Sequence, residues 1–92
     1  MIVIPVLKQE NDKYKQVLKV NEESGEILES ILQNQSVEEQ LSECFDVIQS
    51  TIGLMNMIAD GKQIEIAATE HYEKLRSRGW EFERILEIKE SD

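Results

Sequence analysis

The chain has 92 residues, of which 40% are hydrophobic and 32% charged, and a formal net charge of −9. That length bounds it to one small domain, and the apolar fraction excludes wholesale disorder. The scarcity of Gly, Pro and aromatic residues argues against a sandwich or barrel and for helices. The whole net charge lies between Lys19 and Lys62, a stretch with nine acidic residues and no Lys or Arg between those two lysines. Such a chain is not expected to wrap nucleic acid or lie on an anionic membrane.

In chain order, residues 1–10 read as an extended arm. Ile2, Val3, Ile4 and Val6 are β-branched, and Pro5 blocks a helix there. The apolar run Met1 to Leu7 is far short of the ~20 residues of a membrane span. It lacks the basic start and small-residue cleavage site of a signal peptide, so none is expected. The single cysteine, Cys44, allows no intrachain disulfide. It suits a reducing cytoplasm, which is the expected location.

A first helix is expected from Asn11 or Asp12 to about Gln33. Its apolar stripe is Tyr14, Val17, Leu18, Ile27, Leu28, Ile31 and Leu32. Gly25 interrupts it at roughly 1 kcal/mol relative to Ala, a cost that suggests close approach by another backbone. Asn34 and Gln35 form a short turn. Ser36 then opens a second helix in a capping box with Glu39. Its stripe runs through Val37, Leu41, Cys44, Phe45, Ile48, Ile52, Met55 and Ile58. It is expected to end at Asp60-Gly61, with Gly61 in the left-handed conformation.

A third helix follows from about Gln63 to Ser77, with Ile64, Ala67, Ala68, His71 and Leu75 on one face and Gly79 at its end. Residues 80–92, with Trp80, Phe82, Ile85, Leu86 and Ile88, form a short helix or an arm. The expected fold is all-α. An antiparallel helical hairpin and a third helix form one domain over 1–92, with arm 1–10, helical core 12–78 and tail 80–92. A lone hairpin of this size is marginal, so an oligomeric helix bundle is expected, a dimer or a tetramer.

Two acidic patterns carry the chemistry. Residues 22–26 read Glu-Glu-Ser-Gly-Glu, and residues 43–46 read Glu-Cys-Phe-Asp. Carboxylates at i and i+3 lie on one helix face and reach one ion. Glu26 and Glu43 are equidistant from the turn, as are Glu23 and Asp46. An antiparallel hairpin therefore brings four carboxylates together at two adjacent levels. Unneutralised, they repel one another, and a hard cation with oxygen ligands resolves the conflict. The alternative is a solvated acidic face.

E-E-x-x-E, sixteen residues, then E-x-x-D, in a short helical chain, resembles the MazG-like nucleoside triphosphate pyrophosphohydrolases. Dimeric dUTPases and phosphoribosyl-ATP pyrophosphatase are relatives in that all-α superfamily. The stretch His71 to Trp80 is similar to the end of short phage-type members, while the arm and the last dozen residues match nothing. The resemblance implies Mg²⁺-dependent cleavage of an NTP or dNTP between the α and β phosphates, with Mn²⁺ a substitute. It implies a role in cleansing the nucleotide pool. By the same resemblance Glu23, Glu26, Glu43 and Asp46 bind the metal. Glu22 stands beside Glu26 as a water-orienting base or a supporting group. A base pocket is expected beside the quartet, walled by apolar side chains of the hairpin and a second subunit.

Other residues admit simpler readings. Lys74, Arg76 and Arg78 are candidates to hold the outgoing pyrophosphate, or they oppose the negative pole of the third helix. Family members often carry Asn near Tyr72, and this chain has none there. His71 reads as a packed, hydrogen-bonded histidine, Cys44 as core, Trp80 as an anchor for the tail, and Met55 and Met57 as packing. Two rival functions remain. One is a non-catalytic acidic helical oligomer that scaffolds a partner. The other is a narrow-specificity relative acting on dUTP, dCTP or phosphoribosyl-ATP.

Overall fold

The computed structural model describes residues 2–90. Met1 of the predicted arm, and Ser91 and Asp92 of the predicted tail, lie outside the described residues. Among the described residues there are three helices and no strand: α1 (Lys13–Leu32), α2 (Val37–Ile58) and α3 (Gly61–Ser77). No helix among them is long and apolar enough to cross a membrane. The chain divides into two units. One is Pro5–Ala59, in which α1 packs on α2; the other holds residues 2–4 and 60–90, including α3.

Each helix start is set by a side chain that accepts from an otherwise unpartnered backbone N–H. Asp12 Oδ1 accepts from the Lys15 amide at 2.8 Å and Ser36 Oγ from the Glu39 amide at 3.2 Å. The full reciprocal capping box lies at α3. Asp60 Oδ1 accepts from the Gln63 amide at 2.8 Å, and Gln63 Oε1 accepts from the Asp60 amide at 2.9 Å.

That box corrects the predicted end of α2. Gly61 is the first residue of α3, not a left-handed cap, and α3 starts two residues earlier than predicted. Ala59, extended at φ −148° and ψ 162°, breaks α2, and Asp60 starts the next helix at once. The left-handed caps are Asn34 (φ 51°) and Gly79 (φ 79°). Both close Schellman motifs. Asn34 and Gln35 donate to the carbonyls of Ile31 and Ser30. Gly79 and Trp80 donate to those of Arg76 and Leu75. Residues 80–90 contain no helix, so the tail is an arm; the Phe82 ring meets Tyr72 edge-on at 5.2 Å.

The packing between α1 and α2 departs from the expected apolar stripes. No apolar side chain among the described residues is buried, whereas Gln16, Ser30 and Ser50 are. On α1 the least exposed positions are Gln16, Val20, Glu23, Glu26, Ile27 and Ser30, and most of the predicted stripe is exposed. Small and polar side chains let two backbones approach, and each buried polar group then needs a partner. Gln16 has two: its Nε2 donates to the Ser50 carbonyl at 2.9 Å, and its Oε1 accepts from Asn11 Nδ2 at 2.8 Å.

The close approach expected at Gly25 is at Gly53 instead. A Cβ on Gly53 would sit 2.9 Å from Gln9 Nε2 and 3.2 Å from Gln16 Nε2, whereas one on Gly25 would meet nothing within 4 Å. His71 and Trp80 are exposed rather than packed, and Cys44 is half-buried and free.

Two stability predictions follow from this packing. Gln16→Ala is expected to lower unfolding free energy by about 1–3 kcal/mol, read from the urea midpoint, because it strands the Asn11 amide. Gly79→Ala is expected to cost about 1 kcal/mol in the same assay, since it places a Cβ at a left-handed φ.

Candidate metal centre

Helical spacing of three residues puts Glu23 and Glu26 on one side of α1, and Glu43 and Asp46 on one side of α2. The α1/α2 contact then brings the two pairs together. One carboxylate oxygen from each of Glu23, Glu43 and Asp46 lies within 4.8 Å of the others. Glu26 stands near enough for its carboxyl to act on both Glu23 and Glu43. Glu23, Glu26 and Glu43 are half-buried, and Asp46 is exposed.

The electrostatics show the cost of this gathering. Glu23 is held above the usual glutamate range first by burial, then by the neighbouring carboxyls of Glu26 and Asp46. Lys19, one turn earlier on α1, partly opposes this. Glu43 is raised first by burial, then by the neighbouring carboxyl of Glu26 and by the charges of Asp46 and Glu29. Burial and like charge both disfavour the ionised form.

Two oxygens in the group have an unmet need. Glu23 Oε2 and Glu43 Oε2 are buried and have no hydrogen-bond partner. A carboxylate oxygen only accepts, so a proton donor or a cation must satisfy it. The donor set fits a hard divalent ion. It is all oxygen and anionic, and neither Cys44 nor His71 belongs to it.

The other predicted site residues are all exposed. Glu22 is exposed on α1. Lys74 and Arg76 occupy the last turn of α3 and Arg78 is its C-cap, all exposed. There Lys74 and Arg76 oppose the negative end of the helix dipole, as their simpler reading has it. Lys19 is the residue that the motif reading missed. Its signal was the i, i+4 spacing to Glu23, which places a base against the cluster.

A comparison of the chain with protein families, curated proteins and solved structures finds no match to any of them.

The raised carboxyls make stability depend on pH in a defined sense. The folded chain holds protons at Glu23 and Glu43 more tightly than the unfolded chain, whose glutamates keep their ordinary value near 4.5. Their contribution is therefore fully present below that value and is lost as pH rises through the raised ones. The melting temperature contributed by this cluster in metal-free protein is expected to fall from mildly acidic to neutral pH. Glu43→Gln is expected to flatten that slope in thermal melts with EDTA across the same pH range.

Proposed function

We propose that the chain is a Mg²⁺-dependent nucleoside triphosphate pyrophosphohydrolase of the MazG-like kind, converting an NTP or dNTP to the monophosphate and pyrophosphate. The observation that carries this reading is the carboxylate group itself. Glu23, Glu43 and Asp46 converge, Glu26 joins them, and two of their buried oxygens lack partners. The resemblance of E-E-x-x-E and E-x-x-D to the family's motifs supplies the reaction class.

In this reading α1 and α2 form an antiparallel hairpin. Two contacts support that: Gln16 reaches Ser50, and Glu23, further along α1, meets Asp46, further back on α2. The hairpin assembles with further copies into a helix bundle. Its partners are a nucleotide and itself, not nucleic acid.

Glu23, Glu26, Glu43 and Asp46 would hold Mg²⁺, or Mn²⁺ in its place. The bound ion would neutralise phosphate charge and lower the pKa of water. The chain's own task is to hold four carboxylates at one place despite their repulsion. The contact of Gln16 with Ser50, two turns along α1 from Glu23, fixes the register that does so. Glu22, exposed on α1 beside the ligands, orients water.

The test is product analysis with a panel of NTPs and dNTPs, with Mg²⁺ or EDTA. Monophosphate and pyrophosphate are expected only with metal, and Glu43→Gln is expected to reduce the rate by roughly 100-fold or more. Absence of product from every nucleotide would overturn the reading and favour a scaffold protein.

A further inference from the structure

A single polarity runs through the buried amides of the unit Pro5–Ala59. A backbone carbonyl only accepts, so Gln16 must turn its Nε2 toward the Ser50 carbonyl, at 2.9 Å. Its Oε1 is left at the other end, where it accepts from Asn11 Nδ2 at 2.8 Å. Asn11 is fixed in turn. It cannot exchange the two ends of its carboxamide without losing that bond, and its Oδ1 is held out as an acceptor. This oxygen is buried and has no hydrogen-bond partner.

Among the described residues, three buried side-chain oxygens stand in this condition: Asn11 Oδ1, Glu23 Oε2 and Glu43 Oε2. The two glutamates belong to the carboxylate group, which calls for a cation. Asn11 is neutral and calls for a hydrogen-bond donor. Gln16, which holds Asn11, precedes Glu23 by seven residues, about 10 Å of helix axis. A ligand that meets both needs carries anionic oxygens for the cation at one end and a donor at the other. A nucleotide is built this way, with phosphates on one side of the sugar and, on the other, a base whose edge bears N–H groups.

The neighbouring wall can yield to such a ligand. The arm of residues 5–10 lies on α2 through amides. Gln49 donates to the Pro5 carbonyl, and Gln9 sets its amide beside that of Gln16, against Gly53. The arm's apolar Val6 and Leu7 are exposed rather than packed. Hydrogen bonds exchange with water at small net cost, so contacts of this kind release more readily than buried apolar ones.

We propose that Asn11 is a specificity-determining residue of the nucleotide site: its Oδ1 accepts a hydrogen bond from an N–H on the edge of the base while the phosphates lie at the carboxylates. The inference deepens the proposed function and rests on it for the identity of the ligand; the fixed polarity of Asn11 does not. It follows that the site reads a donor. A base whose edge N–H is replaced by N-methyl leaves the buried oxygen unmet, and a site built on a hydrogen bond discriminates strongly against that loss.

The experiment follows the side-chain amide signals of Asn11 and Gln16 by NMR in isotope-labelled protein, in EDTA, as deoxyadenosine, deoxycytidine, deoxyguanosine or thymidine is added. These nucleosides carry no phosphate, so neither metal binding nor hydrolysis enters. At least one is expected to move the Asn11 signal saturably, and its N-methylated form is expected to bind about tenfold or more weakly. In parallel, kcat/KM is measured for the four dNTPs with Mg²⁺. Asn11→Ala is expected to lower the value for the preferred base by about tenfold or more and to level the differences among bases.

An Asn11 signal that no nucleoside moves means that water alone fills the place, and overturns the inference. So does N-methylation that leaves binding unchanged. If Asn11→Ala fails to fold, the wild-type titration with the methylated nucleoside decides. The two proposals fail separately. Product from dNTPs beside an unmoved Asn11 signal overturns this inference and leaves the proposed function standing, whereas a moved signal without product from any nucleotide keeps the base site and overturns the hydrolysis.

Discussion

The structure depends on how closely α1 and α2 approach, and polar side chains govern that approach. Gln16 is fully buried and bonded at both ends of its amide, and Gly53 and Ser50 offer it a surface without bulk. An apolar pair at this level would pack at any of several offsets along the helix. A buried amide that must find a particular carbonyl fixes one register, because missing it costs about 1–3 kcal/mol. Glu23 lies seven residues after Gln16, and Asp46 seven before Gly53. The register set at the amide is thus passed two turns along both helices to the carboxylates.

The carboxylates stress the contact that positions them. Burial and mutual repulsion push Glu23 and Glu43 toward their protonated forms, and their inner oxygens find no donor. A cluster selected only for solubility would turn these groups outward. Here two helices hold them against their electrostatic preference, and a divalent ion would convert that liability into binding energy. An ion bound there would meet a cluster that the two helices have already assembled. Preorganisation of this kind is what a rigid helical scaffold provides.

Much of this was legible in the sequence. The three helices, their starts at Asp12 and Ser36, and the end at Gly79 follow from capping chemistry and periodicity. The meeting of Glu23 with Asp46, and of Glu26 with Glu43, follows from counting outward from the turn at Asn34-Gln35. The direction in which each helix faces was not legible. Periodicity identifies an apolar stripe but not what covers it, and most of the α1 stripe is exposed rather than packed on α2. Gln16, Ser30 and Ser50 bury themselves there instead, because small and hydrogen-bonded groups permit the closer approach. Gly61 was misplaced for a related reason. A glycine after Asp fits a helix end, but Asp60 with Gln63 makes a stronger helix start. The tail beyond Gly79 has apolar residues without a clean period, and the structure leaves it irregular.

The central claim is that the group of Glu23, Glu26, Glu43 and Asp46 is a cation site. Its most direct test is titration of the metal-free protein with Mn²⁺, followed by electron paramagnetic resonance of the free ion, with Mg²⁺ as competitor. The account predicts saturable binding that Mg²⁺ displaces and that Glu23→Gln abolishes while the helical content is kept. Binding that is unsaturable, or unchanged in Glu23→Gln, would contradict it and leave the four carboxylates as a crowded acidic surface.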